Sequence, residues 1–214
     1  MPLFRPVLAF ALLTAASVAP AAQAAAPAAE AALSPDLAAV QTHLRAVSTM
    51  TADFAQTNRN GGVLTGTLQI KRPGKARFQY EKGVPLLIVG DGKALIMIDY
   101  QVKQVSRWPV GNTPLGLLLD PNKDVTRFVR LAPSDTPDMV TVTSQDHKHR
   151  EYGRITVAFR RMAGAPGGLM LEGWTVLDAQ TNRTSVRLSN QHFNVPVDDS
   201  AFQWTDPRRP GPQH

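Results

Sequence analysis

The chain carries one histidine pair with ligand-like spacing, His147 and His149, inside the run Gln145-Asp146-His147-Lys148-His149-Arg150. An H-x-H pair can hold a metal, but this run lies between two strand-like patterns and reads as a solvated turn. His43 falls in a helical stretch on a different face from Leu37, Leu44 and Val47, and is expected at the surface rather than as a base. Asp198 and Asp199 are adjacent, so in an extended segment they point to opposite faces and cannot act on one substrate. The sequence has no phosphate-binding glycine loop, no HExxH and no GxSxG around a serine. No nucleophile and base assemble, so no catalytic residue, metal or cofactor is expected.

The cations are more informative. Lys71, Arg72, Lys75, Arg77 and Lys82 form the densest basic cluster. Nucleic-acid binders interleave such cations with exposed aromatics, yet Phe78 and Tyr80 have the opposite parity from Lys75 and Arg77. The cluster therefore reads as a solvated strand face, with weak contact to anionic headgroups as the other reading, and no nucleic-acid partner is expected. Arg72 breaks the pattern because it shares parity with the apolar Leu64, Leu68 and Ile70. An arginine at the rim of an apolar concavity needs acceptors for its five donors. Carbonyls at a helix C-terminus are natural ones. Arg72 either latches a helical cover in this way or snorkels outward where Pro73 ends the strand; parity alone does not choose.

Composition narrows the classes further. The 214 residues contain no Cys, 43% hydrophobic side chains, and 23 basic against 17 acidic residues. No disulfide framework, thiolate site or lipid-modified cysteine is available, and the mild basic excess identifies no partner. Met1 to Ala24, with Arg5, the apolar run Val7 to Leu13 and the ending Ala22-Gln23-Ala24, has the pattern of a cleaved export signal. It is too short in apolar residues for the ~20 that span a bilayer. Residues 25–33 form an Ala-rich spacer, residues 34–206 the folded domain, and 207–214 a polar tail.

Within the domain, Ser34-Pro35-Asp36 offers an N-cap, a proline at the first helical position and an acid in the first turn. Leu37, Val40, Leu44 and Val47 follow at helical spacing. From Thr49 the period becomes two: Met50, Ala52 and Phe54; then Leu64, Leu68 and Ile70; then Ala76, Phe78 and Tyr80. Leu86 to Val89 and Leu95 to Ile98 flank Gly90-Asp91-Gly92 as a hairpin apolar on both parities, which predicts cover on both sides. A short apolar segment follows Thr113-Pro114, Leu115 to Leu119, and strand patterns return at 140–143, 155–159, 169–177 and 184–188. The expectation is a mainly β (α+β) fold with few helices, a single antiparallel sheet long enough to curl. Helices that scarce close only one side, leaving an apolar concavity.

Several motifs resemble the LolA family of periplasmic outer-membrane lipoprotein carriers: Met50-x-Ala52-x-Phe54-x-Gln56, Gly66-x-Leu68-x-Ile70-Lys71-Arg72-Pro73, Ile88-Val89-x-Asp91-Gly92-Lys93-x-Leu95, Gln104-Val105, Asn112-Thr113-Pro114-Leu115 with Leu118-Leu119, and Phe202 before Pro207. Their joint order and spacing carry the resemblance. It implies a half-open antiparallel β-barrel under a helical lid, acting in the periplasm as a monomer. The cavity would hold acyl chains of lipoproteins taken from an inner-membrane ABC release complex and passed to an outer-membrane receptor. The resemblance also implies that Arg72 bonds the lid. The expected wall comprises Phe54, Leu68, Ile70, Phe78, Tyr80, Ile88, Met97 and Trp174, with Leu44, Val47, Leu115, Leu118 and Leu119 on the lid. Ala76, Phe78, Ile96 and Met97 stand where relatives often place large aromatics. A lipid-sensing module, or a carrier of another lipid, on the same fold is the alternative.

Overall fold

The computed structural model describes residues 34–112, 115–122, 125–134, 136–145 and 153–208. The export signal, the spacer, Thr113-Pro114, the His147/His149 pair and all but the start of the tail lie outside the described residues.

Helix α1 (Pro35–Ala46) begins where its cap requires: Ser34 Oγ accepts from the Leu37 amide at 3.3 Å, Pro35 is at the first position and Asp36 is in the first turn. Val47 is extended and turns the chain into β1 (Thr49–Thr57). Five strands follow in succession: β2 (Val63–Lys71), β3 (Lys75–Tyr80), β4 (Leu86–Asp91), β5 (Ala94–Asp99) and β6 (Gln104–Pro109). Two short helices come next, α2 (Gly116–Leu119) and α3 (Val125–Phe128), before β7 (Val129–Ala132), β8 (Met139–Gln145), β9 (Arg154–Arg161), β10 (Leu169–Leu177) and β11 (Arg183–Phe193).

All eleven strands form one sheet in the order β6-β5-β4-β3-β2-β1-β11-β10-β9-β8-β7. Each neighbouring pair is antiparallel, and β1 against β11 joins the two meanders in the middle. The sheet does not close: β6 and β7 are its edges, and the chain between them carries α2 and α3. This is the mainly antiparallel, sparsely helical, half-open arrangement the alternation predicts. Two elements escape the sequence pattern. The side chains of β6 are mostly exposed, so an edge strand shows no apolar alternation. In α3 and β7 the run Val125, Phe128, Val129, Leu131 fits both periods, and packing rather than spacing settles where helix becomes strand.

The apolar cores form on opposite faces of the sheet. The larger one joins Met50, Phe54, Leu68, Ile70 and Phe78 to Val40 and Leu44 of α1 and Leu117 to Leu119 of α2. A helix of four residues has little stability alone, so α2 exists because this cluster buries it. The smaller one places Leu87, Val89, Ile96 and Ile98 under Phe202, with Val197 and Trp204 packed beside it. That double cover is what the two-sided apolar hairpin requires. The C-terminal segment supplying it is fastened by the basic face of β2 and β3: Arg77 Nη1 donates to Ala201 O at 3.1 Å and Gln203 O at 2.9 Å, and Asp199 bridges Lys71 and Lys75. The cations read as a solvated face therefore hold the chain end.

Candidate functional site

The end of β2 organises the site. Lys71 is the last ladder residue, Pro73 cannot continue pairing, and Gly74 turns the chain at φ 77°. A Cβ on Gly74 would lie 2.7 Å from Gly92 O, so only glycine fits. Its amide donates to Leu119 O at 2.9 Å, tying the turn to α2. Just before it, Arg72 N donates to Ser48 O at 2.8 Å.

The Arg72 side chain spans both helices. Nε donates to Leu118 O in α2 at 2.8 Å, and Nη1 donates to Leu44 O at 2.5 Å and to Val47 O at 2.7 Å at the end of α1. The last carbonyls of a helix lack intrahelical partners and carry the negative end of its dipole, which suits a cation. Burial lowers the Arg72 pKa to about 10, so the guanidinium is still charged at neutral pH. Of the two readings open from parity, the geometry is that of bonding to helix carbonyls and not of snorkelling.

Beneath the helices, aromatic rings meet edge to face. Phe54 lies 5.6 Å from Phe78 and 5.2 Å from Tyr80, and Phe78 lies 6.0 Å from Trp174. Tyr80 Oη donates to Gln56 Oε1 at 2.8 Å, and burial pushes its pKa up to about 12, so the phenol stays neutral. Leu68 and Ile70 complete this buried group, and Ile88 packs against it. Leu44, Val47, Leu118 and Leu119 are buried in the same cluster from the helical side, with Leu115 half-buried against it. Met97 pairs with Ile88 but is half-buried and lies outside the cluster. The expected wall and cover thus come together with that one exception. Two further clefts, of about 400 and 600 Å³, contain neither Phe78 nor Trp174 and are lined mainly by polar residues such as Gln69, Arg77 and Gln203, or Asp53, Glu81 and Arg187.

The expectation of a surface His43 is corrected. It is 1% exposed, its Nδ1 donates to Pro166 O at 2.9 Å, and its ring sits edge-on to Phe159 and Phe193. The connection between β9 and β10 covers this flank of α1: Gly167, at φ 65°, comes so close that a Cβ would lie 2.6 Å from His43 N. Gln41 was also not singled out by the sequence; its Oε1 accepts from Val125 N at 3.2 Å and links α1 to α3. A Pro-Gly-Gly turn is the one local signal that a backbone approaches closely there, and it does not say what is approached.

No described helix is long and apolar enough to cross a membrane. Residues 45–205 match the family model described as outer membrane lipoprotein carrier protein LolA. An outer-membrane lipoprotein carrier protein from Chromobacterium violaceum is 31% identical over 169 residues, covering 75% of this chain and 78% of that one. Its counterpart from Dechloromonas aromatica is 27% identical over 168 residues, covering 74% and 78%. A LolA superfamily protein from Nitrosomonas europaea superposes with a TM-score of 0.44 at 10% identity, covering 79% of this chain and 96% of that one. With three quarters of its length matched by the family model and the carrier motifs seated around Arg72, the chain belongs to the LolA family of outer-membrane lipoprotein carrier proteins.

Proposed function

We propose that this protein takes up the acyl chains of lipoproteins under α1 and α2, crosses the periplasm as a monomer, and delivers them. The donor is an inner-membrane ABC release complex and the acceptor an outer-membrane receptor. Residues 1–24 direct export and are removed, and residues 34–206 are the carrier domain. The observation that carries the reading is Arg72, anchored in the sheet and bonded to carbonyls of both helices above one apolar cluster.

The chemistry of the cargo explains why such a device is needed. Each exposed acyl CH₂ costs about 0.8 kcal/mol in water, so a chain of ordinary length cannot cross an aqueous space unshielded. Lifting the helices exposes the cluster around Phe54, Phe78 and Trp174, and acyl chains replace the helices as its cover. The cost of opening is held down by the latch itself. Hydrogen bonds to a charged group are worth about 1.5–3 kcal/mol each, while removing a guanidinium from water costs several kcal/mol. The net preference for closure is therefore small, and it can be reversed by apolar contact without an energy source in the carrier. Because these contacts have no direction, they select the acyl chains and not the attached polypeptide.

Binding of a fluorescent acylated peptide to the purified protein tests the reading. Saturable binding that the same peptide without its acyl chains fails to displace is expected; displacement by the bare peptide at equal concentration overturns it.

A further inference from the structure

Gln41 Nε2 is a buried side-chain donor with no hydrogen-bond partner. Gln41 is 8% exposed and lies on the buried side of α1, between Val40 and Leu44, which belong to the main apolar cluster. Its other amide atom is committed, because Oε1 accepts from Val125 N at 3.2 Å. That bond also fixes the orientation of the amide: a backbone N–H needs an oxygen opposite it, so the amino end with its two donors is directed elsewhere. Val125 itself is buried in the same cluster.

Buried donors left unmade are uncommon and unfavourable, and each one in a native fold calls for a reason. The Val125 amide accounts for the carbonyl half of Gln41 and leaves the amino half without use in the closed protein. An acyl chain is apolar along its length except at its head, where an ester or amide carbonyl offers an acceptor and, in the ester, no donor. We infer that Gln41 Nε2 donates to the carbonyl oxygen at the head of a bound acyl chain, an assignment that rests on the carrier reading above. The bond supplies one directional contact in an otherwise non-directional interior. It fixes how deeply a chain enters, and it places that fixed point on α1 at its junction with α3.

The test compares two probes of equal chain length on the full protein, a diacylglyceryl peptide and its dialkyl-ether counterpart, which lacks the carbonyls. The wild-type protein is expected to favour the ester by about fivefold, the size of one net hydrogen bond. Gln41→Met, which keeps the length and removes the donors, is expected to bring the two affinities within about twofold of each other. Gln41→Glu, which keeps an oxygen for the Val125 amide, is expected to remove the preference as well. Equal affinities in the wild type, or a preference that survives in the variants, overturns the inference and leaves the carrier reading standing. If neither probe binds, the carrier reading fails and this assignment fails with it. Should neither variant fold, the wild-type ratio decides alone.

Discussion

Arg72 Nη1 lies 2.5 Å from the carbonyl oxygen of Leu44, so a residue that ends a strand closes the last turn of a helix 28 residues before it. The same guanidinium reaches Val47 O and Leu118 O. Arg72→Leu leaves those three carbonyls without their donor and is expected to cost about 2–3 kcal/mol. Amide exchange should accelerate in α1 and α2 and stay unchanged in the β1–β11 centre. Arg72→Lys offers a single ammonium that cannot meet carbonyls of both helices, and should fall between. Exchange unchanged in both variants would refute the role assigned to the guanidinium.

His43 makes stability depend on pH. Burial lowers its pKa below 6.5, the charge of Arg72 adds to that, and backbone contacts with Pro166 and Leu169 oppose it. Below pH 6.5 the unfolded chain binds a proton that the folded one still refuses, so folding stability falls as the medium is acidified through that range. His43→Asn keeps a donor for Pro166 O and cannot titrate. Urea denaturation between pH 7.5 and 5.5 should show a shallower loss in this variant; identical slopes would exclude His43 as the cause.

The approach of Gly167 to α1 allows a controlled comparison between two glycines in one connection. A left-handed backbone costs an alanine roughly 1–2 kcal/mol. Gly164, at φ 84°, has open space where a Cβ would go, so Gly164→Ala should show that cost alone. Gly167→Ala adds a contact at 2.6 Å with His43 N and should destabilise distinctly more. A chain of this size loses about 2–4 °C in Tm per kcal/mol, so calorimetry resolves the two.

The C-terminal cover separates apolar from ionic contributions. Phe202 is 6% exposed in the second cluster, and Phe202→Ala is expected to cost about 3–5 kcal/mol. Asp199 joins Lys71 at 2.8 Å and Lys75 at 3.0 Å, but all three side chains are substantially exposed. Asp199→Asn should therefore change stability by less than about 1 kcal/mol. A loss from Asp199→Asn equal to that from Phe202→Ala would reverse this ranking.

Much of this was legible in the chain before any tertiary structure. The cap at Ser34, the alternation of Met50, Ala52 and Phe54, and the odd parity of Arg72 each state a local preference of backbone or burial. Those preferences survive because the fold agrees with them. β6 and α3 were illegible for the converse reason: an edge strand need not bury a face, and the run from Val125 to Leu131 satisfies two periods at once.

The sequence by itself determined a sparsely helical antiparallel sheet with one apolar face and an arginine aimed into it, because strand periodicity and residue chemistry act over a few neighbours. Only the tertiary structure decided which carbonyls Arg72 meets, that His43 is sealed beneath Pro166 and Gly167, and that the C-terminal segment lies over Val89 and Ile98. Those contacts join residues more than a hundred positions apart or sit on separate elements, and their energies depend on distances that no local pattern encodes.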